Sequence, residues 1–301
     1  MINTRITALL PLLLLALFFS ASAAAEYQIK LQPWDIAETP GLPEDVVNVL
    51  LIGADAWEDV RDEGRSDTMI VCSYHRDTGE VRLLSIARDL LVTIPNRGGT
   101  NRLNAAHSFG GPILLMKTVN RTFSLNISRY VSLNIHGLRR IFDAMGGLSI
   151  SITEKEAREV NRMIGIEFPH EENPPCPSGE CVLSGLQAMT YARIRDLDSD
   201  FGRMARQRRV IEAIARQVAG LDGERRMAFL QACLMNVSTN LSSEEILSMS
   251  LSALTHGVSG MRVETLPRAG TYVFDRYQGM SVILSEENLL SKDARDFLYG
   301  E

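Results

Sequence analysis

Val46 to Ile52 is an apolar run rich in Val and Leu, broken only by Asn48 and ended by Gly53. A stretch with no polar alternation reads as a strand buried on both faces, so the sheet that holds it needs cover from helices. Two further β-type runs follow, Thr68 to Tyr74 and Val81 to Ile86, and the Arg76-Asp77-Thr78-Gly79 stretch between them has the composition of a hairpin turn. Asp55 sits just past the first strand, Asp67 opens the second and Arg88 follows the third. Three strand ends thus deliver charged residues into loops.

Downstream, helical and strand signals alternate. Pro112 to Phe123, Gly137 to Ala144 and Glu154 to Met163 read as helices, Tyr130 to Ile135 and Leu148 to Ile152 as strands, with Gly146-Gly147 as a helix stop. From Ser184 the pattern is mainly helical (185–194, 201–218, 225–235 and 243–254). Strand character returns at Met261 to Leu266 and Thr271 to Phe274, before a terminal helix from Ser285 to Leu298. The fold class expected is α/β, a single domain with a mixed central sheet covered by helices and a helical C-terminal region.

At the N-terminus, Arg5 precedes an apolar run from Ile6 to Phe19 and a small-residue segment from Ser20 to Ala25, the layout of a secretory signal cleaved before Glu26, with cleavage before Ala24 as a second candidate. A retained membrane anchor is the alternative. Either reading puts the remainder outside the cytoplasmic membrane, secreted or membrane-associated at its outer face. The division expected is a signal over 1–25, a lead segment over 26–45, a catalytic domain over 46–219 and a helical and strand extension over 220–301 packed on the same domain. The formal net charge of −6 argues against nucleic acid as a partner, so any anionic ligand needs a local arginine cluster. For an exported chain, Cys176 and Cys181 around the turn-forming Pro-Ser-Gly-Glu are expected to form a disulfide, whereas Cys72 and Cys233 lie in apolar patterns as buried hydrophobes. The five histidines form no ligand pair at helical spacing and receive no role.

The polar motifs occur in a fixed order. Arg65-Ser66-Asp67-Thr68 is followed by Ser85-Ile86-Ala87-Arg88-Asp89, Arg102-Leu103-Asn104-Ala105-Ala106, Tyr191-Ala192-Arg193-Ile194-Arg195 and Asp200-Phe201-Gly202-Arg203-Met204-Ala205-Arg206-Gln207. In order and spacing this set resembles the LytR-CpsA-Psr family, over about Val46 to Val218, and Gly53-x-Asp55, Gly110-Gly111 and Gly146-Gly147 fit the same pattern. Two positions depart from it. Ala87 stands where the family usually has Pro, and Trp57 where it tends to have Arg.

The resemblance implies an extracytoplasmic enzyme that moves a glycopolymer phosphate from a polyprenyl-pyrophosphate carrier at the membrane surface to a hydroxyl of peptidoglycan. Asp55 and Asp67 are the expected Mg2+ ligands, since hard oxygens suit that ion. Arg65, Arg88, Arg102, Arg193, Arg195, Arg203, Arg206 and Gln207 are the expected diphosphate ligands. Arg203, Arg206 and Gln207 share one face of a helix, and guanidinium forks match phosphate oxygens. Arg88 and Arg203 are assigned to catalysis, with Asp89 and Asp200 as candidates for the base. The lipid needs an apolar groove, for which the helical stretches Ile113 to Met116 and Ile211 to Val218 are candidates. Two alternatives stay open. A non-catalytic module binding polyprenyl phosphate or an anionic glycopolymer would use the same arginines without the aspartate pair, and a polyprenyl-pyrophosphate hydrolase would differ only in the acceptor. As an ordinary structural reading, an arginine-rich helix is a solvated face and Asp55 and Asp67 are turn and cap residues.

Overall fold

The three apolar runs become β1 (Val46–Ala54), β2 (Ser66–His75) and β3 (Glu80–Ile86). The structure is a computed structural model that describes residues 39–54, 64–95, 99–195, 197, 200–218, 220–245, 248 and 260–300. Side chains alternate across a strand, and the two faces of these strands enter different cores. Leu50, Ile52, Met69, Val71, Leu84 and Ile86 face one. Val49, Ile70, Tyr74, Val81 and Leu83 face the other. The expectation of a sheet covered on both sides is met.

Two short antiparallel pairs, β4 (Leu91–Ile94) with β5 (Gly99–Arg102) and β7 (Leu148–Ile152) with β8 (Gly179–Leu183), flank the main sheet. The sheet itself is completed by β6 (Arg129–Asn134), β9 (Val237–Thr239) and β10 (Gly260–Leu266), in the order β10-β3-β2-β1-β6-β9. It is mixed, because β6 runs parallel to β1 and β10 parallel to β3 while the other neighbours are antiparallel. A further hairpin joins β11 (Val273–Tyr277) to β12 (Met280–Leu284).

The described helices are α1 (Ala105–Phe123), α2 (Ile135–Ala144), α3 (Glu154–Glu167), α4 (Gly185–Arg193), α5 (Asp200–Val218), α6 (Gly223–Asn236) and α7 (Glu287–Tyr299). Capping boxes start α3, through Thr153 and Glu156, and α4, through Ser184 and Gln187; each satisfies two backbone N–H groups that a helix start leaves open. The Gly146-Gly147 stop holds: both residues have positive φ, and a Cβ on Gly147 would lie 2.6 Å from the Leu183 carbonyl oxygen. Helix α1 begins earlier than Pro112. It bends at Gly110 and Gly111, so Pro112 opens a second helical segment where its missing N–H is tolerated.

Helices α1 and α7 cover one face of the sheet, through Leu115, Met116, Val119 and Phe123 and through Leu290, Ala294 and Leu298. Burying side chains of this size stabilises by about 1.5–3 kcal/mol each. Helix α5 approaches the opposite face with Ile211. The segment after residue 219 is integral to this arrangement, since β9 and β10 form both edges of the sheet.

The expected Cys176–Cys181 disulfide is corrected, because both residues are free thiols. Register places Cys181 opposite Ile150, whose carbonyl lies 3.4 Å from the Cys181 sulfur, while the Cys176 sulfur lies 3.6 Å from the Pro177 carbonyl. Cys176 is buried in one core cluster, and Cys181, half-buried, packs against the same cluster. Burial pushes the Cys176 thiol up to about 11, with the neighbouring Cys181 adding to the effect.

Candidate active site

Antiparallel pairing decides where the charged loops go. Gly53 lies opposite Thr68 and Ile70 opposite Ser85, so β1 ends, β2 begins and β3 ends at the same end of the sheet. The approach at Gly53 requires glycine: a Cβ there would lie 2.9 Å from Cβ of Thr68. Asp67 and Arg88 therefore meet, Arg88 Nη1 donating to Asp67 Oδ1 at 2.5 Å. The other carboxylate oxygen of Asp67 accepts from Arg195, which comes from the loop after α4.

Burial works to raise the Asp67 pKa, yet Arg88, Arg195 and Arg203 outweigh it and hold the carboxyl below its ordinary value. Asp67 is thus an ionised carboxylate among three guanidinium groups. Arg203, on the first turn of α5, is only 1% exposed. Asp89 lies between Arg88 and one more arginine, 3.7 Å from Arg88 Nε and 3.2 Å from Arg102 Nη1. Its backbone carbonyl accepts from the Ile283 N–H at 2.9 Å, so Asp89 is positioned to orient Arg88 and Arg102.

The other sequence candidates have further partners of their own. Arg193 donates to Glu167 at 2.6 Å, and Gln207 reaches the Ala192 carbonyl at 3.4 Å. Arg206, 2% exposed, donates to the Ile194 carbonyl at 3.0 Å and so fastens α5 to the end of α4. Arg65 is exposed at the start of β2. Asp55 and the Asp200 side chain lie outside the described residues, although Asp200 opens α5 in the backbone. One contact was not anticipated. His107 is fully buried and its Nδ1 lies 2.7 Å from the Gly64 carbonyl, tying α1 to the segment that carries Arg65 and Asp67. Only its place directly after the Arg102 to Ala106 motif hinted at this.

Behind the arginines an apolar cavity of about 340 Å3 runs between the sheet and helices α2, α5 and α6. Leu51, Ile70, Leu83 and Val131 line it from the sheet, and Leu138, Ile211, Ile214 and Phe229 from the helices. Asp67, Thr68, Asn134, Arg193, Arg203 and Gln207 supply its polar lining. Its size is within the range of about 300–1,000 Å3 typical of small-molecule sites. Of the two helical stretches expected to line a lipid groove, Ile211 to Val218 does so. Ile113 to Met116 does not: Leu115 and Met116 are fully buried in the core on the opposite face of the sheet. Cys72 and Cys233 also line this cavity, and burial pushes both thiols up to about 12. Among the described residues no helix is long and apolar enough to cross a membrane.

A family model described as the LytR_cpsA_psr family matches residues 15–293. The chain belongs to that family. Among LytR_cpsA_psr relatives, it is 35% identical over 208 residues to a polyisoprenyl-teichoic acid–peptidoglycan teichoic acid transferase TagU of Enterococcus faecalis, covering 68% of this chain and 64% of that protein. The TagU of Oceanobacillus iheyensis is 33% identical over 232 residues, covering 73% of this chain and 68% of that one. The family fold is seen directly in TagT bound to LI-WTA, with a TM-score of 0.68 at 22% identity over 85% of this chain and 91% of that one. A LytR-CPS2A-psr family protein, YwtF (TagT), with bound octaprenyl pyrophosphate lipid gives a TM-score of 0.64 at 21% identity, again over 85% and 91%.

Proposed function

We propose that this protein is an extracytoplasmic phosphotransferase that moves a glycopolymer phosphate from a polyprenyl-pyrophosphate carrier to a peptidoglycan hydroxyl. One observation carries the reading: an apolar cavity is lined at its polar part by ionised Asp67 and the buried guanidinium of Arg203. A polyprenyl diphosphate has the matching division, an apolar chain joined to a compact anion. The activity named for the TagU relatives and the lipid bound in the TagT structure support the same assignment.

In this reading the prenyl chain occupies the cavity, sheltered from water between the sheet and α5. Arg203, Arg193 and Gln207 receive the diphosphate, with Arg88 and Arg195 held beside it by Asp67. The acceptor oxygen attacks the phosphorus that bears the glycan. A new P–O bond forms, the bond to the bridging oxygen breaks, and polyprenyl phosphate leaves as the hydroxyl proton passes to solvent. Negative charge grows on the bridging oxygen, where preorganised guanidinium groups stabilise the transition state more than the ground state. Asp89, flanked by Arg88 and Arg102, serves to position them.

Mg2+ dependence is part of the proposal. Asp67 suits a hard cation because it is an ionised oxygen donor, and Asp55 from the preceding loop would be the second ligand. Among the described residues no group of three or more His, Cys, Asp or Glu stands ready to hold a metal alone, so substrate oxygens would complete the shell. Bound there, the ion would neutralise diphosphate charge. Mass spectrometry of protein purified from membranes tests the reading at its root: co-purifying polyprenyl phosphate or diphosphate is expected. Lipid-free protein that also fails to bind added polyprenyl diphosphate refutes it.

A further inference from the structure

Arg193 lines a second cleft as well, of about 270 Å3, together with Arg162, Met163, Ile166, Glu167 and Arg195. Four of these residues come from α3, at spacings that bring 162 with 166 and 163 with 167 onto one side of the helix. Three guanidinium groups and one carboxylate line it, and outside the lining Glu159 pairs with Arg162 and Asp67 with Arg195. The arginines are held in place. Glu159 grips Arg162 through two hydrogen bonds of 2.5 and 2.9 Å, and Glu167 grips Arg193 at 2.6 Å. Beside them, Ile166 is 64% exposed, an apolar surface that a bound saccharide ring would cover.

The cleft is joined to the site described above. Arg193 lines both cavities, and Arg195 lines the cleft while donating to Asp67. A ligand whose diphosphate rests against Arg193 and Arg203 meets this cleft with the part that extends away from the lipid. The geometry points to a second anion subsite, in which Arg162, Arg193 and Arg195 bind a phosphate or carboxylate carried on the sugar chain of the lipid-linked donor. This rests on the proposed function and narrows it, because it makes the first sugars of the glycopolymer anionic.

Full-length protein is tested with three lipids: polyprenyl diphosphate alone, the same lipid with a neutral disaccharide, and the same lipid with a phosphate-bearing disaccharide. A soluble phosphate-bearing disaccharide without lipid serves as a fourth probe. Arg162 is half exposed and Ile166 more so, so R162Q and I166E are expected to fold. Both are expected to weaken binding of the two phosphate-bearing ligands roughly tenfold, the scale of one charge-assisted hydrogen bond. In R162Q, affinity for the glycan-free and neutral lipids stays within twofold and R162K recovers part of the loss, whereas I166E, which alters the surface under the sugar ring, also weakens the neutral-disaccharide lipid. Equal losses for all the lipids, or no loss for the phosphate-bearing ones, overturn the subsite. So does displacement of the soluble disaccharide by peptidoglycan fragments, which would give the cleft to the acceptor. Failure of wild-type protein to bind polyprenyl diphosphate counts against the proposed function, while the soluble disaccharide still reads the cleft by itself.

Discussion

Replacing Arg88 with Lys isolates what the guanidinium fork contributes. Arg88 Nη1 donates to Asp67 at 2.5 Å while its Nε lies 3.7 Å from Asp89, so one planar group spans a carboxylate at the start of β2 and one in the turn after β3. Lysine keeps the charge but offers one nitrogen, which reaches one carboxylate and leaves the other to its remaining arginine alone, Arg195 for Asp67 or Arg102 for Asp89. A charge-assisted hydrogen bond is worth about 1.5–3 kcal/mol, which is roughly ten- to a hundredfold in rate when the contact matters in the transition state. The assay follows transfer from a synthetic polyprenyl-diphosphate glycan to peptidoglycan fragments, with kcat and KM determined separately. The fall is expected mainly in kcat, because the lipid cavity is untouched. Circular dichroism should match wild type, since Arg88 lies in a half-buried loop position. A correctly folded R88K variant with kcat/KM within twofold of wild type would refute the idea that the fork organises the site.

Ile214→Trp fills the apolar cavity from α5 without touching an arginine, and is expected to weaken binding of fluorescent polyprenyl diphosphate at least tenfold; unchanged affinity would show that the prenyl chain lies elsewhere. Burial raises the Glu156 pKa, but the Thr153 N–H at 2.9 Å and the Arg209 guanidinium outweigh it, so the folded value lies below the ordinary 4.5. A depressed carboxyl pKa contributes stability that is present above the unfolded value and lost as pH falls through the folded one. Wild-type Tm should therefore drop more steeply below about pH 4.5 than that of E156Q, and parallel Tm profiles would remove Glu156 as the cause. Transfer is expected to stop in EDTA, to return with added Mg2+, and to be lost in D55A and D67A; full turnover in EDTA would end the metal-assisted reading.

The parts of this protein that were legible in its sequence are those with local causes. The apolar run from Val46 and the turn at 76–79 specify β1 to β3, because a two-residue side-chain period and a turn composition act over a few neighbours. The ordered motifs named the arginines, and Gly53 marked the close approach to Thr68. Short edge strands escaped notice. The three residues of β9 and the four each of β4 and β5 pair with partners chosen by tertiary packing and carry little pattern of their own.

Helical spacing alone could not separate Arg203 from Arg206. Both lie on one face of α5, and only the docking of α4 sends Arg206 to the Ile194 carbonyl while Arg203 lines the cavity. The same holds for the two apolar stretches considered for the lipid, since periodicity shows that a helix face is buried without showing against which side of the sheet. His107 became a tie to Gly64 for a similar reason: its partner lies 43 residues away in sequence. By itself the sequence determined which side chains were available and which of the longer strands would form. The folded chain decided which charges meet, because the Asp67 contacts with Arg88 and Arg195 join residues 21 and 128 positions apart and arise only once the sheet and α4 have packed.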